Sequence, residues 1–480
     1  MARVAVLGAG VAGLIAAYRL RRSGHEVTVL EAKPHAGGLS QTARDGTVVT
    51  EIHNGDTVRQ TVRLPSGHYI NLGPGRLPHH HRRILRLCGE LGIPLEPYIM
   101  SSDANYYADV RSGKKWRRRR LDNDTRGWIS QLAWASSFTD ERELIQHYGA
   151  LDENGEYHGT DRAGDDDVVP LAEIIRTQPW RHQMWQPLAH FWQNTLFQPV
   201  GGMDQIWKAL LATGIRPIYN AVVTRIRLRP SRAQVTWDWG GSRMVESFDW
   251  CLSSIPFPLL IRDVALEGPS PDWIQAASTV DFAPACKVGW YSRTRFWEDE
   301  EIYGGISYTN HDITQFWYPS SHFFTSNGGT LTGAYNSYNT AHRFQQLSIP
   351  DRINLARDGG ALLHAQVADT DIVPTHNAAT VAWAHVPHQA GGWAHWHGDA
   401  HPEHDPAFQR LQEPAGRLIA IGDQISPWPG WQEGCALTAE RATDIVNGAH
   451  TGEPDWAQAP HSRFLTAGDH LPDPRASLNP

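Results

Sequence analysis

The stretch "ARVAVLGAGVAGLIAAYRLRRSGHEVTVLEA", residues 2–32, decides the fold of this chain. An apolar run over residues 2–7 predicts a strand, a glycine-rich turn follows, and spaced apolar residues then predict a helix. A second apolar run over residues 25–30 predicts another strand, which ends in the acidic Glu31. The order strand, turn, helix, strand is a βαβ unit, and such units build parallel sheets covered by helices.

The glycines of the turn, Gly8, Gly10 and Gly13, have the spacing G-x-G-x-x-G. The first glycine permits a tight turn, the second lets the backbone approach a pyrophosphate, and the third lets the helix pack on the strand. Glu31 is placed to accept hydrogen bonds from ribose hydroxyls. An acidic residue there disfavours a 2′-phosphate, so we expect FAD or NAD rather than NADP.

The composition excludes several other classes of protein. The chain has 480 residues with a net charge of −8, which gives no electrostatic basis for binding nucleic acid. Four cysteines lie far apart without a CxxC pair, so neither a disulfide framework nor a zinc site is indicated. The apolar N-terminal run holds about 15 residues, fewer than the roughly 20 that span a bilayer. We therefore expect a soluble, cytoplasmic protein with no membrane partner.

Two further motifs carry a resemblance to a known family. Gly37 and Gly38 follow Glu31 in "EAKPHAGGLSQT", and "GRLIAIGDQISPWPGWQEGCALTAERATDIV" occupies residues 416–446. Together they resemble the flavin amine oxidase family, and among its members the FAD-dependent L-amino-acid oxidases most closely. Leu39 stands where that family has an arginine, so one phosphate contact departs from the pattern. The stretch "HQAGGWAHWHGDAHPEHD" lacks the cysteine that tethers FAD in membrane members, which implies non-covalent FAD.

The resemblance implies a set of cofactor-binding residues. In the second motif an acidic residue after a strand binds the phosphate or ribityl region, and a following helix points its N-terminus at the flavin. Such a helix end stabilises the negative charge of a reduced flavin. The predicted cofactor-binding residues are Gly8, Gly10, Gly13, Glu31, Gly38, Gly75, Val223, Gly422, Asp423, Gly430, Trp431 and Gln432.

The fold class expected from these motifs is α/β (α+β), with a discontinuous Rossmann-like FAD-binding domain, a mixed-sheet substrate domain and a helical insertion. The three pieces of the FAD-binding domain are predicted at residues 1–60, 199–262 and 411–450. The substrate-binding domain is predicted at 61–119 and 263–410, the helical insertion at 120–198 and a C-terminal tail at 451–480. Within the second FAD-domain piece, Val235–Trp239 and Ser247–Ser253 are predicted as a pair of strands.

Arg76 lies in "NLGPGRLPHHH", between helix-breaking residues and a run of histidines. Proline and glycine give this segment a particular backbone path. By resemblance to the L-amino-acid oxidases, this arginine grips the carboxylate of the substrate, a task suited to a planar guanidinium. The alternative is a surface arginine on an ordinary turn.

Lys287 and Tyr335 complete the predicted catalytic set with Arg76. Lys287 lies in the apolar "PACKVGW", ahead of "FWE", and resembles the family lysine that holds a water at flavin N5; the alternative is a strand lysine with a solvated ammonium. Tyr335, in "NGGTLTGAYN", resembles the tyrosine that donates a second hydrogen bond to the carboxylate, or is a buried strand tyrosine. The predicted substrate pocket is formed by Arg76, Tyr335, Trp393 and Trp431.

The sequence also predicts where a basic run, a histidine run and three tryptophans lie. The basic run "GKKWRRRR" from Gly113 is interpreted as a charged edge strand of a hairpin between "NYYADV" and "RRRRL", not as a nucleic-acid site. The histidine run at residues 79–81 is expected to open a helix, and no metal is predicted. Trp290, Trp317 and Trp393 are expected to wall the substrate cavity.

The function implied by the resemblance is FAD-dependent oxidation of an L-amino acid. The imino acid would be hydrolysed to a 2-oxo acid and ammonia, and O₂ would be reduced to H₂O₂. Three alternatives stay open: an amide-forming amino-acid 2-monooxygenase, an amine or polyamine oxidase, and a catalytically silent flavin-binding protein. The expected partners are an amino acid, O₂ and possible second copies of the chain in a homodimer. The substrate side chain is expected to be aromatic, with a basic one as the alternative.

Overall fold

A five-stranded parallel sheet forms the centre of the N-terminal unit in the computed structural model, which describes residues 1–134, 156, 157, 159, 168–178, 195–396, 402 and 405–448. Its strand order is Ile218–Tyr219, Glu26–Glu31, Arg3–Leu7, Trp250–Ser253 and Leu418–Ala420. Three distant parts of the chain therefore join one sheet, as the discontinuous domain requires. The helices Val11–Arg22, Gln205–Ala212 and Gln432–Asn447 contribute apolar side chains to the core beside this sheet.

A four-stranded sheet lies beside the parallel one, in the order Ser242–Phe248, Ala233–Trp239, Val222–Leu228 and Ala265–Glu267. The predicted strand Ser247–Ser253 is wrong, because the chain changes sheets at Asp249. There the Asp249 carboxylate accepts from the backbone N–H of Arg3 at 2.8 Å, and the Asp249 N–H donates to the Arg3 carbonyl at 2.8 Å. These two bonds anchor the start of Trp250–Ser253 next to the first strand of the chain.

The second large sheet is mixed and has seven strands. Their order is Lys114–Arg117, Tyr106–Asp109, Ile306–Thr309, Gln315–Trp317, Gly329–Ser337, Ala285–Ser292 and Ala378–Ala382. One face packs on the helices Tyr338–Gln345 and Ile349–Ala361. A parallel sheet and a mixed sheet with helices confirm the predicted α/β class.

The remaining elements connect the two large sheets. Short strands pair as Leu77–Pro78 with Leu196–Pro199 and Leu95–Tyr98, Thr42–Ala43 with Ile70–Asn71, Val48–His53 with Asp56–Thr61, and Asp281–Ala283 with Trp393–His395. The other α-helices are Arg82–Glu90, Arg118–Trp134, Leu171–Thr177, Phe257–Asp263, Pro271–Ser278, Phe296–Asp299 and Pro406–Gln412, and single 3₁₀ turns cover Ala365–Val367, Trp383–His385 and Asp423–Ile425.

The basic run forms an edge strand, as predicted, but the strand is shorter than expected. Lys114–Arg117 pairs with Tyr106–Asp109 at the edge of the mixed sheet, and a helix begins at Arg118. Arg118 and Arg120 then form ion pairs one helical turn apart with Asp122 and Asp124. These pairs favour helix over strand for the second half of the run.

The predicted helical insertion lies largely outside the described residues. Its described parts are the helices Arg118–Trp134 and Leu171–Thr177 and the strand Leu196–Pro199. Helical spacing also predicts helices at 140–149 and 184–197; the first lies outside the described residues, as does the second up to residue 194, and its end is wrong because residues 196 and 197 are in the strand. The domain boundaries therefore stay a prediction. Among the helices of the described residues, none is both long and apolar enough to cross a membrane.

Candidate cofactor and substrate site

A cavity of about 430 Å³ lies at the carboxyl ends of the parallel strands. This edge of an open parallel sheet is where such folds bind ligands. Seven of the predicted cofactor-binding residues line the cavity: Gly8, Gly10, Glu31, Gly38, Val223, Gly422 and Asp423. The structure thus brings together residues that are more than 400 positions apart in the sequence.

The physical reason for a glycine differs among the three positions of the first turn. Gly8 has a φ of +102°, and a Cβ there would lie 2.3 Å from Ser254 Oγ. A Cβ on Gly13 would lie 2.0 Å from the Gly8 carbonyl oxygen, so this glycine allows the helix to pack against the turn. Gly10 has an ordinary φ of −74°, and the nearest atom to its Cβ would be Gly38 Cα at 3.8 Å. No protein contact explains Gly10, but a Cβ there would project into the cavity space that a ligand would fill.

Glu31 lies at the wall of this cavity, at the end of its strand. Its carboxylate accepts from the backbone N–H groups of Ala9 at 2.7 Å and Lys33 at 2.8 Å. Lys33 is itself buried, and among the described residues its ammonium has no hydrogen-bond partner. Burial lowers the pKa of Lys33 to about 8, although the nearby Glu31 carboxylate opposes this.

The C-terminal motif closes the other side of the cavity. Asp423 accepts from the backbone N–H of Gly430 at 2.7 Å and from Cys435 Sγ at 3.7 Å, which holds the loop 423–430 against the following helix. Burial raises the pKa of the Asp423 carboxyl. The helix Gln432–Asn447 begins here with Trp431 as its N-cap, and the Gln432 side chain donates to Ser40 Oγ at 2.7 Å.

The hydrogen-bond donors of the cavity suit a dinucleotide, and backbone N–H groups contribute more to them than basic side chains do. The described residues that line it include neither a lysine nor an arginine, and Leu39 is one of them. Positive potential comes instead from the N-terminus of the helix Val11–Arg22, which begins directly after Gly10. Backbone N–H groups of glycine turns can approach a pyrophosphate closely.

A smaller cavity of about 90 Å³ adjoins the first and shares Leu39, Ser40, Asp423 and Cys435 with it. It is lined in addition by Tyr335, Trp383, Trp393, Gly430 and Gln432. Five predicted site residues therefore meet at its wall: Asp423, Gly430 and Gln432 from the C-terminal motif, and Tyr335 and Trp393 from the substrate-side strands. This arrangement places the predicted flavin end of the site next to the mixed sheet.

Lys287 contacts residues that line this small cavity, from the face of its strand opposite the helix-packed core. It is cross-strand neighbour to Tyr335, which lines the cavity. Its ammonium donates to the carbonyl oxygens of Asn71 at 3.2 Å and Gly73 at 2.5 Å. Burial, followed by the nearby positive charge of Arg76, lowers the pKa of Lys287 to about 7.

Arg76 is buried, with 5% of its surface exposed, so the structure excludes the alternative of a surface arginine. Its guanidinium carbon lies 4.8 Å from the ring centre of Trp317, 5.9 Å from Tyr98 and 5.9 Å from Trp431. Aromatic faces attract a cation without using its N–H groups as donors.

The structure separates the three tryptophans predicted to wall a substrate cavity. Trp290 is in the core, because it shares the helix-packed face of its strand with Cys286 and Val288, opposite Lys287. Its predicted place at the cavity is wrong. The spacing of two positions between Cys286, Val288 and Trp290 puts them on one face of the strand. Trp317 contacts Arg76 and Lys287, and Trp393 lines the small cavity.

Three predicted cofactor residues lie elsewhere. Gly13 packs beneath the glycine turn, and Trp431 contacts Arg76 and the ring of His81, whose centre is 5.0 Å away. Gly75 lies against Trp317 and lines a separate cavity of about 260 Å³. The histidine run precedes the helix Arg82–Glu90, with His81 as the N-cap, and does not form the first turn of that helix.

The sequence reasoning missed several residues of the site. Tyr98 lies in a short strand with no distinctive motif, so only the fold reveals its contact with Arg76. Trp383, whose indole N–H donates to the Leu72 carbonyl at 3.0 Å, shapes the small cavity. Lys33 could have been found, because it lies two positions after Glu31 in the same motif.

Comparison with known proteins matches this chain to the flavin-containing amine oxidoreductases over residues 11–199 and 193–447. The chain belongs to this family. The resemblance predicted from the sequence is therefore confirmed, and flavin is the cofactor that the family implies.

Two proteins similar in sequence to this flavin amine oxidoreductase are named as amino-acid oxidases, and one solved structure is named as an amine oxidase. A flavin-dependent L-tryptophan oxidase of Lentzea aerocolonigenes is 27% identical, with 93% of this chain and 98% of the relative covered. An L-amino-acid oxidase of Sistrurus catenatus edwardsii is 24% identical, with 93% and 87% covered. The cyclohexylamine oxidase from Brevibacterium oxydans has the same fold, with a TM-score of 0.61, 16% identity and 93% and 99% of the two chains covered.

Proposed function

We propose that this protein is an FAD-dependent L-amino-acid oxidase, which converts an L-amino acid to a 2-oxo acid, ammonia and H₂O₂ by way of the imino acid. The observation that carries the proposal is the pair of buried basic side chains, Arg76 and Lys287, on the ring of Trp317, which packs against Tyr335 of the small cavity. The family itself implies a small-molecule substrate and O₂.

FAD would occupy the two adjoining cavities, without a covalent bond. Gly8, Gly10 and Gly38 would approach its pyrophosphate. Glu31 would lie at its adenosine ribose, and the N-terminus of the helix Gln432–Asn447 would face its flavin ring. Bound FAD supplies the acceptor for the hydride of the substrate Cα–H and the electrons that reduce O₂. Burial raises the pKa of the nearby Cys435 thiol well above its ordinary value, so this cysteine stays a thiol.

Arg76 would bind the substrate carboxylate. The fork of a guanidinium matches a carboxylate in geometry, and a buried charge pair of this kind gives both orientation and affinity. Aromatic contacts with Trp317, Tyr98 and Trp431 hold the arginine in place. Tyr335, whose ring centre lies 5.1 Å from that of Trp317, would donate a second hydrogen bond.

The same charges disfavour a simple amine as substrate. An amine enters as an ammonium cation, and the buried Arg76 guanidinium disfavours it, as does Lys287 when that side chain is protonated. An amino acid brings a carboxylate that compensates for Arg76, so its ammonium is tolerated until it loses a proton. The electrostatics therefore support an amino-acid oxidase over an amine or polyamine oxidase.

Lys287 would act on a proton or a water at the flavin side of the site. Its lowered pKa of about 7 makes the neutral amine accessible near neutral pH. Its two backbone acceptors, Asn71 and Gly73, fix the ammonium just behind the cavity wall. Because these two hydrogen bonds fix the side chain, the lysine can hold a water at one defined position.

An anaerobic titration tests this proposal. Flavin absorbance is recorded as the purified protein is mixed with each of a series of L-amino acids, and with the amine that each would give on decarboxylation. We expect bleaching by amino acids and weak bleaching by the matched amines. Bleaching by amines alone would contradict the proposal. Product analysis in air then separates the 2-oxo acid and ammonia of an oxidase from the amide and CO₂ of a monooxygenase.

A further inference from the structure

Three metal-ligating side chains meet outside the proposed cofactor site. Glu51 and His53 lie on the strand Val48–His53, and His385 ends the 3₁₀ turn Trp383–His385. His53 Nε2 is 2.7 Å from Glu51 Oε2 and 3.5 Å from His385 Nδ1, and all three ligand atoms lie within 4.8 Å of one another. The two histidine rings are edge to face, with centres 4.5 Å apart.

Hydrogen bonding satisfies only part of this group. The contact between His53 Nε2 and Glu51 Oε2 is short at 2.7 Å, whereas that between His53 Nε2 and His385 Nδ1, at 3.5 Å, is at the limit of a hydrogen bond. A proton on His53 Nε2 can be directed at Glu51 or at His385, and the other contact then has no good hydrogen bond. A cation at the common point interacts favourably with all three atoms at once. We propose that Glu51, His53 and His385 bind a divalent transition-metal ion of the zinc type.

The separations suit such an ion. Zinc binds nitrogen and carboxylate oxygen at about 2.0–2.2 Å in tetrahedral geometry, which sets neighbouring ligands roughly 3.3 Å apart. The two short separations, 2.7 and 3.5 Å, lie on either side of that value, so small side-chain rotations suffice. His53 has 19% of its side chain exposed, so water can supply the fourth ligand.

Charge decides which metals the site prefers. Arg352, fully buried, donates to both oxygens of Glu51 at 2.9 and 2.7 Å and so compensates for its charge. Glu51 Oε1 also accepts from the backbone N–H of Ala382 at 2.8 Å, so Oε2 is the oxygen that a metal would use, and the guanidinium orients it. Because the carboxylate is already neutralised, the imidazoles dominate the affinity. The site therefore favours Zn²⁺, Co²⁺ or Ni²⁺ over Mg²⁺ and Ca²⁺, which require oxygen ligands.

A metal here would join two segments that border the proposed active site. The hairpin formed by Val48–His53 and Asp56–Thr61 would be tied to the turn that carries Trp383. Trp383 lines the small cavity and holds the Leu72 carbonyl. The ion would act as a structural clamp on that wall, and it takes no part in the proposed chemistry.

The experiment is a Zn²⁺ titration of the full chain, purified without a histidine tag and treated with a chelator. Isothermal calorimetry is expected to show one strong site in the wild type. His53→Ala and His385→Ala should each weaken it roughly tenfold or more, as loss of a ligand does. The matched control is His376→Ala, an exposed histidine just before the strand Ala378–Ala382, and it should bind as the wild type does.

Two further measurements keep the proposal open to contradiction if one variant folds poorly. Co²⁺ should give visible absorption bands typical of tetrahedral nitrogen and oxygen ligation, and Zn²⁺ should raise the thermal midpoint of the wild type but not of His53→Asn. Equal zinc affinity in the wild type and both alanine variants would overturn the site, as would tighter binding of Mg²⁺ than of Zn²⁺. None of these readouts depends on the substrate, so failure here leaves the proposed function untouched.

Discussion

Arg76 and Lys287 lie against the same indole ring. The guanidinium carbon of Arg76 is 4.8 Å and the ammonium of Lys287 is 4.7 Å from the centre of the Trp317 ring. Burial lowers the pKa of Lys287 to about 7, and the positive charge of Arg76 contributes to the lowering. An anion bound next to Arg76 would reduce this repulsion, as the carboxylate of the proposed substrate would.

The first prediction concerns Arg76→Met. Removing the guanidinium should lower kcat/KM for amino acids roughly 30- to 700-fold. This corresponds to about 2–4 kcal/mol of binding free energy, because a desolvated charge pair is lost. Steady-state kinetics measure this, with KM expected to carry most of the change. Arg76→Lys keeps the charge but loses the planar fork, and should recover only part of the loss.

The decarboxylated amines serve as the internal control for Arg76. They have no carboxylate, so Arg76→Met should leave their weak turnover unchanged or improve it. An equal loss for amino acids and amines would mean that Arg76 acts only through the structure of its loop.

The second prediction links Lys287 to the pH dependence of stability. Its folded pKa of about 7 lies below its ordinary value of 10.5, so between these pH values the unfolded chain binds a proton that the folded chain does not. Stability contributed by Lys287 therefore rises with pH in this window, by up to about 1.4 kcal/mol per pH unit. The difference in unfolding free energy between the wild type and Lys287→Met should show this slope from pH 7 to 10 in urea titrations.

Lys114→Met is the matched control for Lys287. The side chain of Lys114 is 56% exposed and its ion pair with Glu173 lies at the surface, where such pairs contribute little, so the corresponding difference should vary far less with pH. A flat difference for Lys287→Met as well would show that the ammonium is solvated in the folded protein.

The third prediction separates the two roles of glycine in the first turn. Gly10→Ala introduces a Cβ whose nearest protein atom is 3.8 Å away, so apoprotein stability should hold while FAD binds more weakly. Gly13→Ala places a Cβ 2.0 Å from the Gly8 carbonyl, so it should lower stability itself. Thermal unfolding of the apoprotein and fluorescence titration with FAD distinguish the two. Unchanged FAD affinity in Gly10→Ala would remove this glycine from the site.

The parallel sheet could be predicted from the sequence because the residues that indicate it lie close together in the chain. The glycine spacing, the apolar strands and Glu31 all lie within residues 2–32, and each restricts the backbone directly. The helix after Trp431 and the edge strand at Lys114–Arg117 were predictable for the same reason. The switch of sheets at Asp249 was not, since it depends on hydrogen bonds to Arg3, which is distant in the sequence.

The candidate site was only partly predictable, because side-chain facing depends on register. Trp290 and Lys287 are three positions apart in one strand, so alternation puts them on opposite faces, but the sequence does not say which face packs on the helices. The aromatic contacts of Arg76 come from three separate segments, so no pattern in one segment indicates them. The roles of the individual site residues stay predictions until the variants are measured.

The last prediction is that the preferred substrate is an aromatic L-amino acid, with tryptophan first. Around Trp317 the structure packs Tyr98, Tyr107 and Tyr308, with Trp116, Trp128 and Tyr335 at the margin of the cluster. Flat side chains gain about 0.5–1.5 kcal/mol for each aromatic contact beyond simple burial, which a leucine side chain does not. Aromatic faces also attract cations, but Arg76 and Lys287 already use the face of Trp317 and repel a basic side chain. The measurement is kcat/KM for L-Trp, L-Phe, L-Leu, L-Lys and L-Arg under one set of conditions. A tenfold advantage of lysine or arginine over both aromatic amino acids would contradict the aromatic preference and leave the carboxylate role of Arg76 intact.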